Sequence, residues 1–237
     1  MLYKVTNEDG SCRQGVGTWS LPTKNTDGSW EPGDWWEVTG PLVPCENGLH
    51  LCNGEEQLLE RLGPLICEAE YDGERLDAAD KVVVRRARLT RIVETWDARA
   101  ARLFACDCAE RVLPLFERVR PNDNRPRQAI ETARRFANGN ATMHELSAAY
   151  ASAWAAIPGA WTAIPAAWDD AWAARSAAIP DAREAAWNAA WATRAAAISD
   201  ARDTAGTASE KGAWVAWDAE RQWQAQRLRW YLEGGVA

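Results

Sequence analysis

Apolar and polar residues alternate over short stretches in the first third of the chain and recur every three to four residues after it. The alternation predicts strands at LYKV (2–5), GLHLC (48–52) and LICEAEY (65–71). KVVVRRARLTRIV (81–93) is rich in β-branched residues and reads as a further strand or two. EEQLLERL (55–62) predicts a short helix stopped by Gly63-Pro64, and Asp72-Gly73 predicts a turn. Residues 10–48 are dense in Gly, Pro, Asp and Asn and read as loops carrying Trp19, Trp30, Trp35 and Trp36.

From residue 94 the period changes to that of a helix. Phe104, Cys108, Val112 and Phe116 recur every four residues, and Pro114 inside this stripe is expected to kink or split the helix. A second helix is predicted to start near Pro126 and stop at Asn138-Gly139. Thr142 and Glu145 form a capping box for a third, which should bury Leu146, Tyr150, Trp154 and Ile157. Pro158, Pro165 and Pro180 each follow an Ile and predict helix boundaries. Residues 206–212 read as a loop and 213–232 as a last helix. The fold class is therefore α+β, with an α+β domain over 1–93 and an all-α, repeat-like domain over 94–237.

The helical half contains an internal repeat. WDDAWAARSAAIPDAR (168–183) and WNAAWATRAAAISDAR (187–202) share eleven of sixteen positions. Each copy sets two Trp and one Ile on one helical face, which points to a stacked helical array, an architecture suited to binding. Ser199 replaces Pro180 in the second copy, where it can serve as an N-cap and preserve the boundary. Composition sharpens this picture: residues 151–237 hold ten of the fifteen Trp and 30 Ala. Ala gives strong helix propensity and close helix approach, so Trp and Ile ridges are expected to supply the core bulk. As core residues, Trp172 and Trp191 would each cost roughly 3–5 kcal/mol on substitution by Ala; as groove residues they would anchor a ligand instead.

Charge limits the partners. The net charge is −7, and no basic stripe is present, which disfavours nucleic acid. No apolar run is long enough to span a membrane. The start lacks the basic and apolar regions of a secretory signal, so a cytoplasmic chain with reduced thiols is expected. No Walker, GxGxxG, GxSxG or HExxH motif occurs, and no cofactor is expected. Cys45, His50 and Cys52 could hold zinc, but their spacing is not that of a zinc finger, and buried thiols beside a structural His are the favoured reading. Cys106 and Cys108 point to different helix sides and have no visible base, and His144 sits in a helix's first turn as a surface or capping group.

LFACDCAERVLPLFE, the acidic turn after it, RPRQAIETAR, and ERQWQAQRLRWYL at 220–232 together resemble a bacterial family of immunity proteins also found in phage genomes. The resemblance spans about residues 96–232. CENGLHLC and LICEAEYDGE resemble a small uncharacterised domain of phage proteins. The resemblance implies a non-catalytic, phage- or prophage-encoded protein that neutralises a protein toxin or bacterial defence effector. It singles out Asp107, Glu110, Arg111, Arg125, Arg127 and Arg134 as binding residues, to which the repeat adds Trp172 and Trp191. A purely structural role is open for Arg125 and Arg127, which can pair with carboxylates of the preceding helix. Two other functions remain open. Trp rings with Arg125, Arg127 or Arg134 could sequester a nucleotide-type signal. The order of elements in the first third also resembles ADP-ribosyltransferases, with Tyr3, His50 and Glu68 or Glu70 as candidates, although the usual Arg or His of the first strand is missing.

Overall fold

A computed structural model describes residues 1–13, 15–161, 165–204 and 210–235. The fold is α+β, and the chain divides into two compact units, Met1–Trp96 and Asp97–Ala237.

The first unit is a small antiparallel barrel. The unit's strands are β1 (Leu2–Thr6), β2 (Thr23–Lys24), β3 (Trp30–Glu31), β4 (Trp36–Glu37), β5 (Leu49–Asn53), β6 (Leu65–Asp77) and β7 (Val82–Ile92), of which β2 and β3 form a separate two-stranded sheet. The order β4-β7-β5-β1-β6 is closed by a second pairing of β6 with β7. Closure removes the open edges that would invite strand addition. Leu2, Leu49, Leu51, Ala69, Val82, Val84 and Leu89 fill the interior with Trp19. Helix α1 (Glu55–Leu58) and the 3-10 turn Leu59–Arg61 are short, but Leu58, Leu59 and Leu62 are fully buried.

The predicted turn at Asp72-Gly73 does not form. β6 runs through it as a bulge between Asp72 and Arg75, with Gly73 at φ 79°, and the chain reverses at Ala78–Lys81 instead. Opposite charges make this long hairpin favourable. Glu68–Arg91 (2.6 Å), Glu70–Arg88 (2.5 Å) and Asp72–Arg86 (3.3 Å) are direct cross-strand neighbours, and Arg86 and Arg88 flank the ring of Trp35. Asn7–Ser11 and Asn25–Ser29, both N-x-D-G-S, form the same turn twice. In each, the Asp carboxylate accepts from both the backbone and hydroxyl of Ser, which lowers the Asp pKa.

The second unit packs α3 (Arg125–Ala137), α4 (Met143–Trp161), α5 (Pro165–Ala177), α6 (Ala182–Thr204) and α7 (Glu210–Leu232) around α2 (Ala98–Val119). Asp97 caps α2 by accepting from the Ala100 amide at 2.7 Å. Phe104, Cys108, Val112 and Phe116 of α2 are buried, as the four-residue period predicts, and Leu103 and Leu113 are buried beside them. Pro114 does not split this helix. Asp170 of α5 accepts the Phe116 amide at 2.6 Å, two residues past the proline, which gives a buried donor there a partner. The Thr142–Glu145 capping box forms reciprocally, and α3 ends at Asn138-Gly139 with Gly139 at φ 74°.

The proline rule holds for Pro165, which opens α5, and for Pro180, which lies between α5 and α6; Ile164 is outside the described residues. It fails at Pro158, which sits inside α4. Ser199 is no boundary either: α6 runs through it, and its hydroxyl donates to Asp169 at 2.8 Å. Serine keeps the amide that proline lacks, so nothing interrupts the ladder. The two sequence copies therefore differ in structure. The first is a helix, a turn and the start of the next helix, with Asp181 capping α6, whereas the second lies wholly within α6. Residues 210–212 of the predicted loop belong to α7, and 206–209 lie outside the described residues.

The core of this array is built from Ala rather than Trp. Ala171, Ala174, Ala178, Ala185, Ala189 and Ala196 are fully buried, whereas Trp191 is 56% exposed, Trp154 50% and Trp187 40%. Trp172 is half-buried beside Phe116 and Ile157, and the side chain of Trp168 is outside the described set. Helices that meet through Ala approach too closely to leave room for indoles between them, so several rings are displaced outward. Trp191→Ala is therefore expected to change stability by no more than about 0.5 kcal/mol in urea unfolding. A loss of several kcal/mol would return this ring to the core.

Candidate functional site

α2, α3 and α7 converge on one carboxylate. Asp107 of α2 accepts from Arg134 of α3 (2.9 Å), Arg227 of α7 (2.5 Å) and the Tyr231 hydroxyl (2.7 Å). Its side chain is 9% exposed. Arg134 also reaches Glu110 at 2.7 Å, one turn along α2. Arg227 and Tyr231 lie four apart, so both face the same carboxylate, and the guanidinium of Arg227 packs over Trp230 at 4.1 Å. Tyr231 meets Phe104 edge-on at 6.2 Å.

The electrostatics follow from burial and this shared anion. Burial raises the Tyr231 hydroxyl well above its ordinary range, and its hydrogen bond to Asp107 raises it further. Burial opposes the charges of Arg134 and Arg227. The carboxylate of Asp107 helps outweigh that cost for both, with Glu110 also acting on Arg134. A neighbouring cluster repeats the theme. Arg111 donates to Glu220 at 2.5 Å and stacks over Trp223 at 4.6 Å, while Gln224 donates to the Ala190 carbonyl of α6. Burial raises the Glu220 carboxyl despite Arg111 beside it.

Of the residues singled out from sequence, Asp107, Glu110 and Arg134 are brought together. Arg125 instead chelates Asp123 within the turn, and Arg127 holds Glu117 of α2 through both carboxylate oxygens at 2.7 and 2.8 Å. Arg111 belongs to the Glu220 pair. Trp172 faces α4, and Trp191 faces outward on α6. Sequence reasoning missed Arg227 and Tyr231. Both lie in the quoted segment ERQWQAQRLRWYL, and their four-residue spacing carried the signal.

A second buried cation was missed as well. Arg102 is 1% exposed and donates to the carbonyls of Ala177 (3.0 Å), Ile179 and Pro180 (2.6 Å). It thus supplies donors at the α5 C-terminus, where the helix leaves carbonyls unsatisfied and its dipole favours a positive charge.

Asp170 is a fully buried acid of the array. Burial holds its carboxyl well above the usual range, the charge of Glu117 adds to this, and the Phe116 amide opposes it. A raised folded-state pKa favours folding fully below the ordinary carboxylate value of about 4 and progressively less as pH rises through the folded value. Asp170→Asn keeps an acceptor for Phe116 and cannot titrate. Urea unfolding should show this variant gaining stability relative to the parent from mildly acidic to alkaline pH, and a pH-independent difference would refute the assignment.

Among the described residues no three His, Cys, Asp or Glu side chains come together as a metal site. Cys45, His50 and Cys52 are used otherwise. The exposed Cys45 thiol accepts from Lys81 at 3.1 Å, and its amide donates to His50 Nε2 at 3.4 Å. Cys52 is buried, which pushes its thiol up to about 11. Burial also raises Cys106 to about 12 and Cys108 well above its ordinary value, so both are packing groups rather than thiolates. Glu68 and Glu70 are held by Arg91 and Arg88, and the Tyr3 hydroxyl donates to Glu55 at 3.3 Å. Among the described residues no helix is long and apolar enough to cross a membrane.

No curated protein and no solved structure matches the chain. Residues 91–157 match a family model described as Imm-5 like putative immunity protein. The match covers α2, α3 and most of α4, and so includes Asp107, Glu110 and Arg134 of the three-helix junction. Over that segment, the chain is similar to immunity proteins.

Proposed function

We propose that this chain is a non-catalytic binding protein, encoded by a phage or prophage, that neutralises a protein toxin or bacterial defence effector in the cytoplasm of its host. The observation that carries the reading is the immunity-family match over residues 91–157. Its charged residues have a definite part in this reading. Arg127 and Arg134 are engaged with Glu117, Asp107 and Glu110 and so brace α3 against α2, while Arg125 holds Asp123 within the turn between them. Partner contact then falls to side chains that the bracing leaves outward, with Trp191 and the face around Trp172 as the anchors.

A nucleotide-type ligand is the second reading, but it gains little from this geometry. The three guanidiniums it would need for phosphate already hold carboxylates, which a ligand would have to displace.

The test is co-expression of the tagged chain with toxins encoded beside its relatives, followed by growth rescue and native mass spectrometry. A toxin recovered at fixed stoichiometry, together with rescued growth, supports the reading. Failure to rescue growth from any such toxin, with no complex formed, would overturn it. An added mass of a few hundred daltons instead would point to a bound small molecule.

A further inference from the structure

Arg175 of α5 sits among three aromatic rings. Its guanidinium carbon lies 4.5 Å from the ring centre of Tyr150, 4.2 Å from that of Trp154 and 4.5 Å from that of Trp172. It also donates to the Tyr150 hydroxyl. The indoles of Trp154 and Trp172 are 5.7 Å apart, so the rings and cation form one compact group spanning α4 and α5.

Many of the other cations of this unit are handled differently. Arg111, Arg118, Arg127, Arg134, Arg135 and Arg227 each hold a carboxylate at 2.9 Å or less. Arg102 is buried against carbonyls. Among the described residues Arg175 has no ion pair, and its buried Nε has no hydrogen-bond partner. Yet Arg175 is part-exposed, and Trp154, which covers it, is half exposed. Three rings stabilise the positive charge without neutralising it, and they fix the orientation of the guanidinium fork.

A fixed, unneutralised guanidinium matches a carboxylate, which can accept two parallel hydrogen bonds from it. The rim favours one negative charge with an apolar stem. Ala151 and Ala155 are exposed beside Trp154 on α4, and the ring group holds one cation, which suits a singly charged carboxylate better than a doubly charged phosphate. Arg and Trp are also the residues that most often dominate protein interfaces.

We propose that Arg175, framed by Tyr150, Trp154 and Trp172, is an anchor site that receives an acidic side chain of a protein partner. The inference rests on the chain being a protein-binding inhibitor, and it names a surface and the partner chemistry that fits it.

The probe is a capped hexaglutamate peptide, titrated into the isotope-labelled full chain at constant ionic strength and followed by NMR of the Arg175 Nε and Trp154 indole signals. Saturable shifts of both signals are expected, with none from hexalysine. Arg175→Gln should abolish the response, and Arg175→Lys should weaken it about tenfold by losing the fork. Trp154→Ala, at an exposed position, should also weaken binding while the helical circular dichroism is retained. No saturable shift at concentrations on the order of 1 mM, a response that survives Arg175→Gln, or an equal response to inorganic phosphate would overturn the proposal. The two readings fail separately. If the parent chain neutralises a toxin and a folded Arg175→Gln does so equally well, only the anchor site is lost. If hexaglutamate binds at Arg175 but no toxin is neutralised, only the inhibitor reading is lost.

Discussion

Arg102→Met is expected to destabilise the helical unit by about 3–5 kcal/mol, because it leaves buried carbonyls without a donor. The guanidinium serves the carbonyls of Ala177, Ile179 and Pro180, where α5 ends and the chain turns into α6. Methionine fills similar volume but donates nothing, so three carbonyls lose their donor, and those of Ala177 and Ile179 are too buried for water to replace it freely. A loss of that size is a large share of the roughly 5–15 kcal/mol that holds an ordinary domain folded. Arg102→Lys should fall between parent and Met, since one ammonium cannot reach what a planar fork reaches. Urea unfolding followed by helical circular dichroism reads all three. A cost below about 1 kcal/mol for Met, the level of a typical surface change, would show that the α5–α6 junction does not depend on this cap.

Asp107→Ala is expected to produce the second large loss, again about 3–5 kcal/mol. Arg134, Arg227 and Tyr231 all donate to this one carboxylate. Its removal leaves Arg134 with Glu110 and withdraws the described acceptor from Arg227 and Tyr231. Glu110→Ala is the control: that side chain is 48% exposed, so its pair with Arg134 is screened by solvent and should contribute less than about 1 kcal/mol. The contrast between two acids on one helix, both bonded to the same arginine, separates a structural hub from a surface ion pair. A double-mutant cycle of Asp107→Ala with Tyr231→Phe should show coupling of about 0.5–3 kcal/mol. Additive losses would mean that α7 is held by packing alone.

Asp107 also joins two conspicuous stretches that lie far apart along the chain. The segment around residue 107 and the segment around residue 230 meet through Asp107, Arg227 and Tyr231. The family match over 91–157 stops before α7, so one of the three helices of the junction lies outside it.

Much of the secondary structure was legible from local chemistry. β1, β5, β6 and β7 follow the alternating and β-branched runs, and the buried face of α2 follows its four-residue period. The Thr142–Glu145 box and the Asn138-Gly139 stop are local hydrogen-bond devices, so they formed where their residues stand. The misreadings have a common cause. Asp72-Gly73 can turn a chain, but cross-strand ion pairs on both sides favour continued pairing, and the strand bulges instead. Ser199 can cap a helix, but within an Ala-rich helix bonded to Asp169 it simply continues.

The sequence by itself determined the α+β division, the position of most elements and the Ala-rich character of the array, because propensity, capping and periodicity act over a few residues. Only the tertiary structure decided which charged groups meet. Arg134 finds Asp107 across 27 residues, Arg102 finds the α5 carbonyls across 75 to 78, and Tyr231 finds Asp107 across 124. It also decided the fate of the tryptophans. Spacing alone sets Trp187 and Trp191 on one face of α6, but whether that face meets water or protein depends on how closely Ala lets the neighbouring helices approach.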